Sequence, residues 1–223
     1  MPVYLREIKG FLNRSGVEGP QQLRGYIPCR RMSDGKGRNY IGPIGTDPGE
    51  VPYSSTGNPD FYRVMGVSGV TIATGVDFGQ TDANTLRRSG LPESLIGAFS
   101  PYLALRKDAA IDRLFAFPLI ISKCDADVLD GVILGIHAKN IPARYNRDNP
   151  SAPFAELPWQ AQAAIFALLF QRGTGAAGKA PITWNAFLRG DWQAAADSLC
   201  NPSLWDGYQE RRKLEGKLLK EIA

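Results

Sequence analysis

Histidine and cysteine are scarce in this chain. Its 223 residues hold one histidine and three cysteines. The cysteines, Cys29, Cys124 and Cys200, are too widely spaced for a zinc pattern and too few for a disulfide framework. One pair could bridge in an oxidising compartment. Cys200, in an apolar helical stretch, reads as a buried thiol, and His137 as a core-edge or surface residue. Long apolar runs are also missing. None reaches the ~18 residues that a membrane span needs. The first ten residues carry Arg6, Glu7 and Lys9 where a conventional export signal has an apolar core. A basic cluster with interleaved aromatics, the mark of nucleic-acid binding, is absent too.

What is present suits a compact fold. Apolar residues make up 43% and charged residues 22%, a balance that excludes disorder. A net charge of +4 suits an acidic partner but is equally ordinary solubility charge. Periodicity predicts an amphipathic helix over 3–14 that stops at Ser15 and Gly16, with Glu18 just beyond it. An extended piece follows at Leu23–Pro28. Residues from about 30 to 66 are rich in Gly, Pro, Ser and Asp and read as an irregular insertion with short strands and turns. Its scattered Asp34, Asn39, Asp47, Glu50 and Asp60 fit no EF-hand, so no metal and no cofactor is expected. Val67–Phe78 is β-branched and punctuated by glycines, which predicts one or two short strands ending at a tight turn.

Beyond that the chain reads as helical: Asp82–Arg88, a helix opened by Pro92, Asp125–Lys139, a strongly apolar helix opened by Pro158, short helices capped by Thr183 and Asp191, and a charged last helix over about 206–222. The prediction is an α+β fold of one domain with two lobes. The N-terminal lobe is mixed and covers about 1–95, the C-terminal lobe is helical and covers about 96–223, and the link falls between Asp82 and Leu105. A cleft between two such lobes suits a long polymer substrate.

Three residues stand out chemically, though none is decisive alone. Glu18 lies past a helix end, where a carboxyl can serve as a general acid or simply as a surface charge. Asp77 ends the strand run and reads as a reactive carboxylate or a turn residue. Thr71 could orient a water through its hydroxyl or be a plain strand residue.

Several motifs occur together in order. They are Glu18-Gly19, Gly25-Tyr26-Ile27-Pro28, Ser68-Gly69-Val70-Thr71-Ile72, Asp77-Phe78-Gly79-Gln80, Pro101-Tyr102-Leu103, Phe170-Gln171-Arg172-Gly173, Gly190-Asp191-Trp192 and Arg211-Arg212-Lys213-Leu214-Glu215. This set resembles the pesticin-type toxin muramidases, which are related to phage-type lysozymes. The resemblance implies a lysozyme-like fold, a general acid at Glu18, a partner carboxylate at Asp77 and a water-holding threonine at Thr71. It also implies sugar contacts from Tyr26 and Gln171, and an arginine, 211 or 212, that pairs with Glu18. Phage-type lysozymes place their aspartate two residues after the tyrosine matching Tyr26, where this chain has Pro28. The family's strand glycine is Ala73 here, which is tolerable if its backbone angle is ordinary.

The implied activity is hydrolysis of the β-1,4 bond between N-acetylmuramic acid and N-acetylglucosamine in peptidoglycan, with inversion. Inversion would set the two carboxyls about 6.5–9.5 Å apart. A lytic transglycosylase and a non-catalytic wall-binding module are the rival readings. The expected setting is a monomer made in the cytoplasm without a conventional signal peptide. It would act in the periplasm or cell wall of a target bacterium, with peptidoglycan as partner and an immunity protein as a candidate second one. No nucleic-acid or membrane partner is expected.

Overall fold

A computed structural model describes residues 3–14, 17, 20–31, 37–40, 62–173, 175–205 and 208–223. Glu18 and most of the 30–66 insertion, including Asp34, Asp47, Glu50 and Asp60, lie outside the described residues.

The long strand β1 (Gln22–Arg31) organises the sheet. It pairs antiparallel with β2 (Gly37–Tyr40), with β3 (Tyr62–Val64) through Cys29–Arg31, and with β4 (Thr71–Ala73). β4 turns back into β5 (Val76–Asp77). The register between β1 and β4 slips between Gln22 and Tyr26, and there Arg24 bridges Ile120 instead. Gly25 makes this possible. A Cβ at Gly25 would lie 3.0–3.3 Å from side-chain atoms of Leu119, Val70 and Leu114, so a larger residue would push these neighbours by a few tenths of an ångström.

Alternation then does what a half-buried sheet requires. Gly25, Ile27 and Cys29 are buried, and Arg24, Tyr26 and Pro28 are half-buried. The buried face, with Val70 and Ile72, packs on Leu86 of α2 (Ala83–Arg88), Ile96 and Phe99 of α3 (Glu93–Phe99), Leu114 of α4 (Lys107–Ala116) and Leu129 of α5 (Lys123–Asp148). Phe78 packs against Phe99 in a tilted arrangement with ring centroids 4.8 Å apart. Asp82 caps α2 by accepting the Thr85 N–H at 2.8 Å. Ser122 and Asp125 form a reciprocal capping box at the start of α5.

Gln21–Leu134 forms one compact unit, and Met1–Pro20 with Gly135–Ala223 forms another. The boundary therefore falls inside α5, at 134/135, and not near residue 95. The expected link region 82–105 belongs wholly to the sheet unit, because Leu86, Ile96, Phe99 and Tyr102 are part of that unit's core. α5 is also longer than expected and runs through Pro142 to Asp148. Fully buried Ile141 and Tyr145 carry its apolar stripe across the proline from either side, and their burial outweighs the roughly 3 kcal/mol that an interior proline costs.

The second unit is helical. In α6 (Trp159–Arg172) every residue from Ala161 to Leu169 is buried, which makes it the central element. α1 (Val3–Leu12) lays Leu5, Ile8, Phe11 and Leu12 into this core and packs on α6. α7 (Ala176–Lys179), α8 (Pro181–Arg189), α9 (Trp192–Cys200) and α10 (Gln209–Leu219) complete it. Asp191 caps α9 as predicted. Thr183 does not cap α8. Pro181 starts the helix two residues earlier, and the Thr183 hydroxyl is buried against Ser198 Oγ at 2.6 Å. Cys200 is half-buried, Cys29 is the buried thiol, and all three cysteines are free. The backbone of Gly216 crosses so close to α9 that a Cβ there would meet Cys200 Sγ at 2.6 Å.

His137 is half-buried, with its ring centroid 4.6 Å from that of Phe170. Burial pushes its pKa below the ordinary value of 6.5. The unfolded chain therefore binds a proton more readily at this site than the folded one. Stability should be complete above about pH 6.5 and decline as pH falls below it. As His137 is the chain's single histidine, urea midpoints measured from about pH 7.5 down to about 5.5 should fall less in His137→Phe than in wild type.

Candidate active site

The sheet register brings three of the sequence-predicted residues into one row. Tyr26 of β1 lies opposite Thr71 of β4, and Thr71 lies opposite Asp77 of β5. Directly opposed residues on antiparallel strands share a face, so the three side chains leave the sheet on the same side. Tyr26 and Asp77 are half-buried, and Thr71 is buried.

Asp77 is held by backbone. Its Oδ1 accepts the N–H of Gly69 at 2.9 Å and the N–H of Gly79 at 2.8 Å. Oδ2 accepts no hydrogen bond among the described residues. The Thr71 hydroxyl donates to Gly69 O at 3.3 Å, which leaves its lone pairs as acceptors.

Both donors to Asp77 are glycines for a steric reason. A Cβ on Gly69 would lie 2.3 Å from Leu105 O and 2.7 Å from the Gly79 backbone. One on Gly79 would lie 2.8 Å from Gly69 N and 3.0 Å from Asp77 Oδ1. The segment 104–107 straps this cradle. Ala104 N–H donates to Phe78 O, Lys107 N–H to Ser68 O, and Arg106 Nε to Gly79 O at 2.6 Å.

Backbone strain concentrates here. Four non-glycine residues with positive φ occur among the described residues. Two of them, Ala104 (59°) and Lys107 (52°), brace the Asp77 cradle, and a third, Ala73 (53°), ends β4 at the turn into β5. The backbone angle at Ala73 is therefore not ordinary. Its methyl costs about 1 kcal/mol in a conformation that glycine adopts freely.

The helical unit holds the other candidates. Arg211 and Arg212 are buried, not solvated, and both engage fully buried Glu215. Arg211 also donates to Ala167 O at 2.8 Å and to Val17 O at 3.5 Å, so its guanidinium reaches the residue just before Glu18 in the chain. Arg212 donates to Gln171 Oε1 and lies 5.0 Å from the Trp205 ring centroid. That bond occupies the carbonyl end of Gln171. The expected pairing of either arginine with Glu18 lies outside the described residues.

Sequence reasoning overlooked Glu215. The spacing Arg-Arg-x-x-Glu, three and four apart on one helix face, was its signal. It also overlooked Asp130, whose bonds reach the turn between β4 and β5. No local spacing marks that residue.

The family model for pesticin, described as a bacterial toxin homologue of phage lysozyme, C-terminal, matches residues 44–193. The chain belongs to this family. The fold is accordingly α+β and lysozyme-like. The matched span includes Thr71, Asp77 and Gln171, while Glu18, Tyr26, Arg211 and Arg212 lie outside it. Comparison with curated proteins gives no match. Family membership suggests lysozyme-type attack on peptidoglycan or toxin action.

Two substitutions test the supports. Gly69→Ala should cost about 3 kcal/mol, because a Cβ inside van der Waals contact with Leu105 O and Gly79 must push the cradle open. Glu215→Gln removes the carboxylate that two buried guanidiniums engage and should cost about 3–5 kcal/mol. Urea unfolding of purified protein measures both, and a loss under about 1 kcal/mol at either position contradicts the role given to it.

Proposed function

We propose that this chain is a muramidase. It hydrolyses the β-1,4 bond between N-acetylmuramic acid and N-acetylglucosamine in bacterial peptidoglycan and acts as an antibacterial toxin or lytic enzyme. The observation that carries this reading is the row Tyr26–Thr71–Asp77 in a chain of the pesticin family.

A glycosidic bond breaks when its leaving oxygen is protonated and a nucleophile reaches the anomeric carbon. Glu18 is the proposed acid. The nucleophile is a water. Thr71 Oγ and Asp77 Oδ2 both accept from it, which turns a water lone pair toward the sugar. Asp77 then takes the proton as the C–O bond forms. Its Oδ1 is already saturated by Gly69 and Gly79, so the carboxylate keeps its orientation while Oδ2 works. Water attack opposite the leaving group inverts the anomeric centre.

Tyr26 and the amide end of Gln171 are the proposed sugar contacts. The two compact units are proposed to form one catalytic domain that uses no cofactor and acts as a monomer. Its site of action would be the cell wall of a target bacterium, and an immunity protein is the proposed neutralising partner.

Digestion of purified sacculi decides the reading. Wild type should release reducing muropeptides with the mass of hydrolysed products, initially as the α-anomer. Glu18→Gln should lower the rate by about 10³-fold or more, and Asp77→Asn by at least about 10²-fold, with both proteins folded. Products lighter by one water would instead identify a lytic transglycosylase. Full activity in Glu18→Gln would remove the proposed acid.

A further inference from the structure

The turn between β4 and β5 has an unusual backbone. Ala73 and Gly75 both have positive φ, at 53° and 75°, and Thr74 lies between them. That turn joins the two strands on which Thr71 and Asp77 stand opposite each other. Its conformation therefore sets how the two side chains are spaced.

Thr74 is gripped from another element. Asp130 of α5 accepts the Thr74 N–H on Oδ1 at 2.9 Å and the Thr74 hydroxyl on Oδ2 at 2.6 Å. The same Oδ2 accepts Gln21 Nε2 at 2.6 Å, from the residue that precedes β1. Asp130 is 8% exposed, so all three bonds form largely away from water, where charge-assisted bonds are strongest. The carboxylate is thus spent on one turn and on the entry to β1. Gln22 pairs with Ala73, so both anchored segments meet at the strained residue.

We propose that Asp130 is a positioning residue. It holds Ala73 in the left-handed conformation and so keeps Asp77 and Thr71 in the geometry that the water requires. A residue with a Cβ leaves that conformation when the clamp is released, whereas glycine does not need to. Asn at 130 presents an amide N–H₂ where one carboxylate oxygen now accepts, and at least one of the three bonds fails. This inference rests on the muramidase reading, in which Asp77 and Thr71 handle the water.

The test is a double-mutant cycle on purified protein with soluble peptidoglycan fragments. Asp130→Asn should lower kcat by roughly ten- to hundred-fold with KM within about two-fold, because a misplaced base slows the step without weakening binding. In the Ala73→Gly background the same change should cost several-fold less, a coupling that independent sites do not show. Thr74→Val removes the hydroxyl bond alone and should give a smaller kcat loss. It serves in place of Asp130→Asn if that variant does not fold.

Equal losses in both backgrounds overturn the proposal. So does a lower melting temperature with kcat unchanged, since that describes a merely structural bond. Amide exchange gives a readout independent of activity. The Gly69 and Gly79 N–H groups, bonded to Asp77, should exchange faster in Asp130→Asn and recover protection in the double variant. If wild type cleaves no glycan, the muramidase reading fails by itself. The exchange data then still support or refute the clamp.

Discussion

The close approach of two glycine backbones around one carboxylate oxygen is the constraint on which the candidate site depends. Gly69 and Gly79 bring their N–H groups to Asp77 Oδ1 at 2.9 and 2.8 Å, and Leu105 O closes over both. A side chain on either glycine would collide with backbone, which cannot swing aside as a side-chain tip can. Much of the local architecture serves this contact. The β4–β5 hairpin delivers Asp77, the bonds of residues 104–107 brace the cradle, and the next residue, Phe78, is anchored against Phe99. The strained angles at Ala104 and Lys107 fall in the strap that braces this cradle, and that at Ala73 falls in the hairpin's own turn. Each costs about 1–2 kcal/mol by itself and persists because the hydrogen bonds on either side over-determine it.

The helical unit solves a different problem with buried charge. Two arginines and a glutamate lie at 3%, 0% and 0% exposure on one face of α10. Removing such groups from water is costly, and their mutual attraction does little more than offset it. Stability is therefore a weak reason for the cluster, and direction is a better one. Glu215 and Ala167 O fix the Arg211 guanidinium, whose remaining arm reaches Val17 O beside the proposed acid in sequence. Arg212 in turn orients Gln171 by taking its carbonyl. Side chains fixed in this way need no ordering when a ligand arrives, so the entropy of holding them is settled in the folding of the chain.

Part of the sheet was legible because β-branched residues and glycines mark it locally: Val67–Phe78 reads as one or two short strands ending at a tight turn, whereas the structure puts the turn inside the run, at Thr74–Gly75. The α6 core was legible for the same reason, in an unbroken apolar run. The unit boundary was not. Nothing in the letters of α5 says that its first half packs beneath the sheet and its second half elsewhere, since both halves carry the same amphipathic pattern. The backbone of Ala73 misled because a positive φ leaves no trace in the letter itself. Asp130 was invisible because its partners are 56 and 109 residues away in the chain. Hydrogen bonds at that range follow from the packing of α5 against the hairpin and from no spacing.

The division between legible and hidden residues has a physical cause. Groups that touch the reacting atoms are constrained in type: an acid, a base and a hydroxyl are few in number, and their letters recur in a recognisable order. The groups that hold them are constrained only in position. Any acceptor at the right place could grip Thr74, so the letter at 130 carries little information by itself. Its burial at 8% exposure carries more. A carboxylate withdrawn from water keeps its charge cheaply only where donors converge on it, and here three converge from two segments that meet at the strained turn. Such a residue is found by asking which buried charge draws its bonds from segments that meet at one turn, and why that turn needs holding.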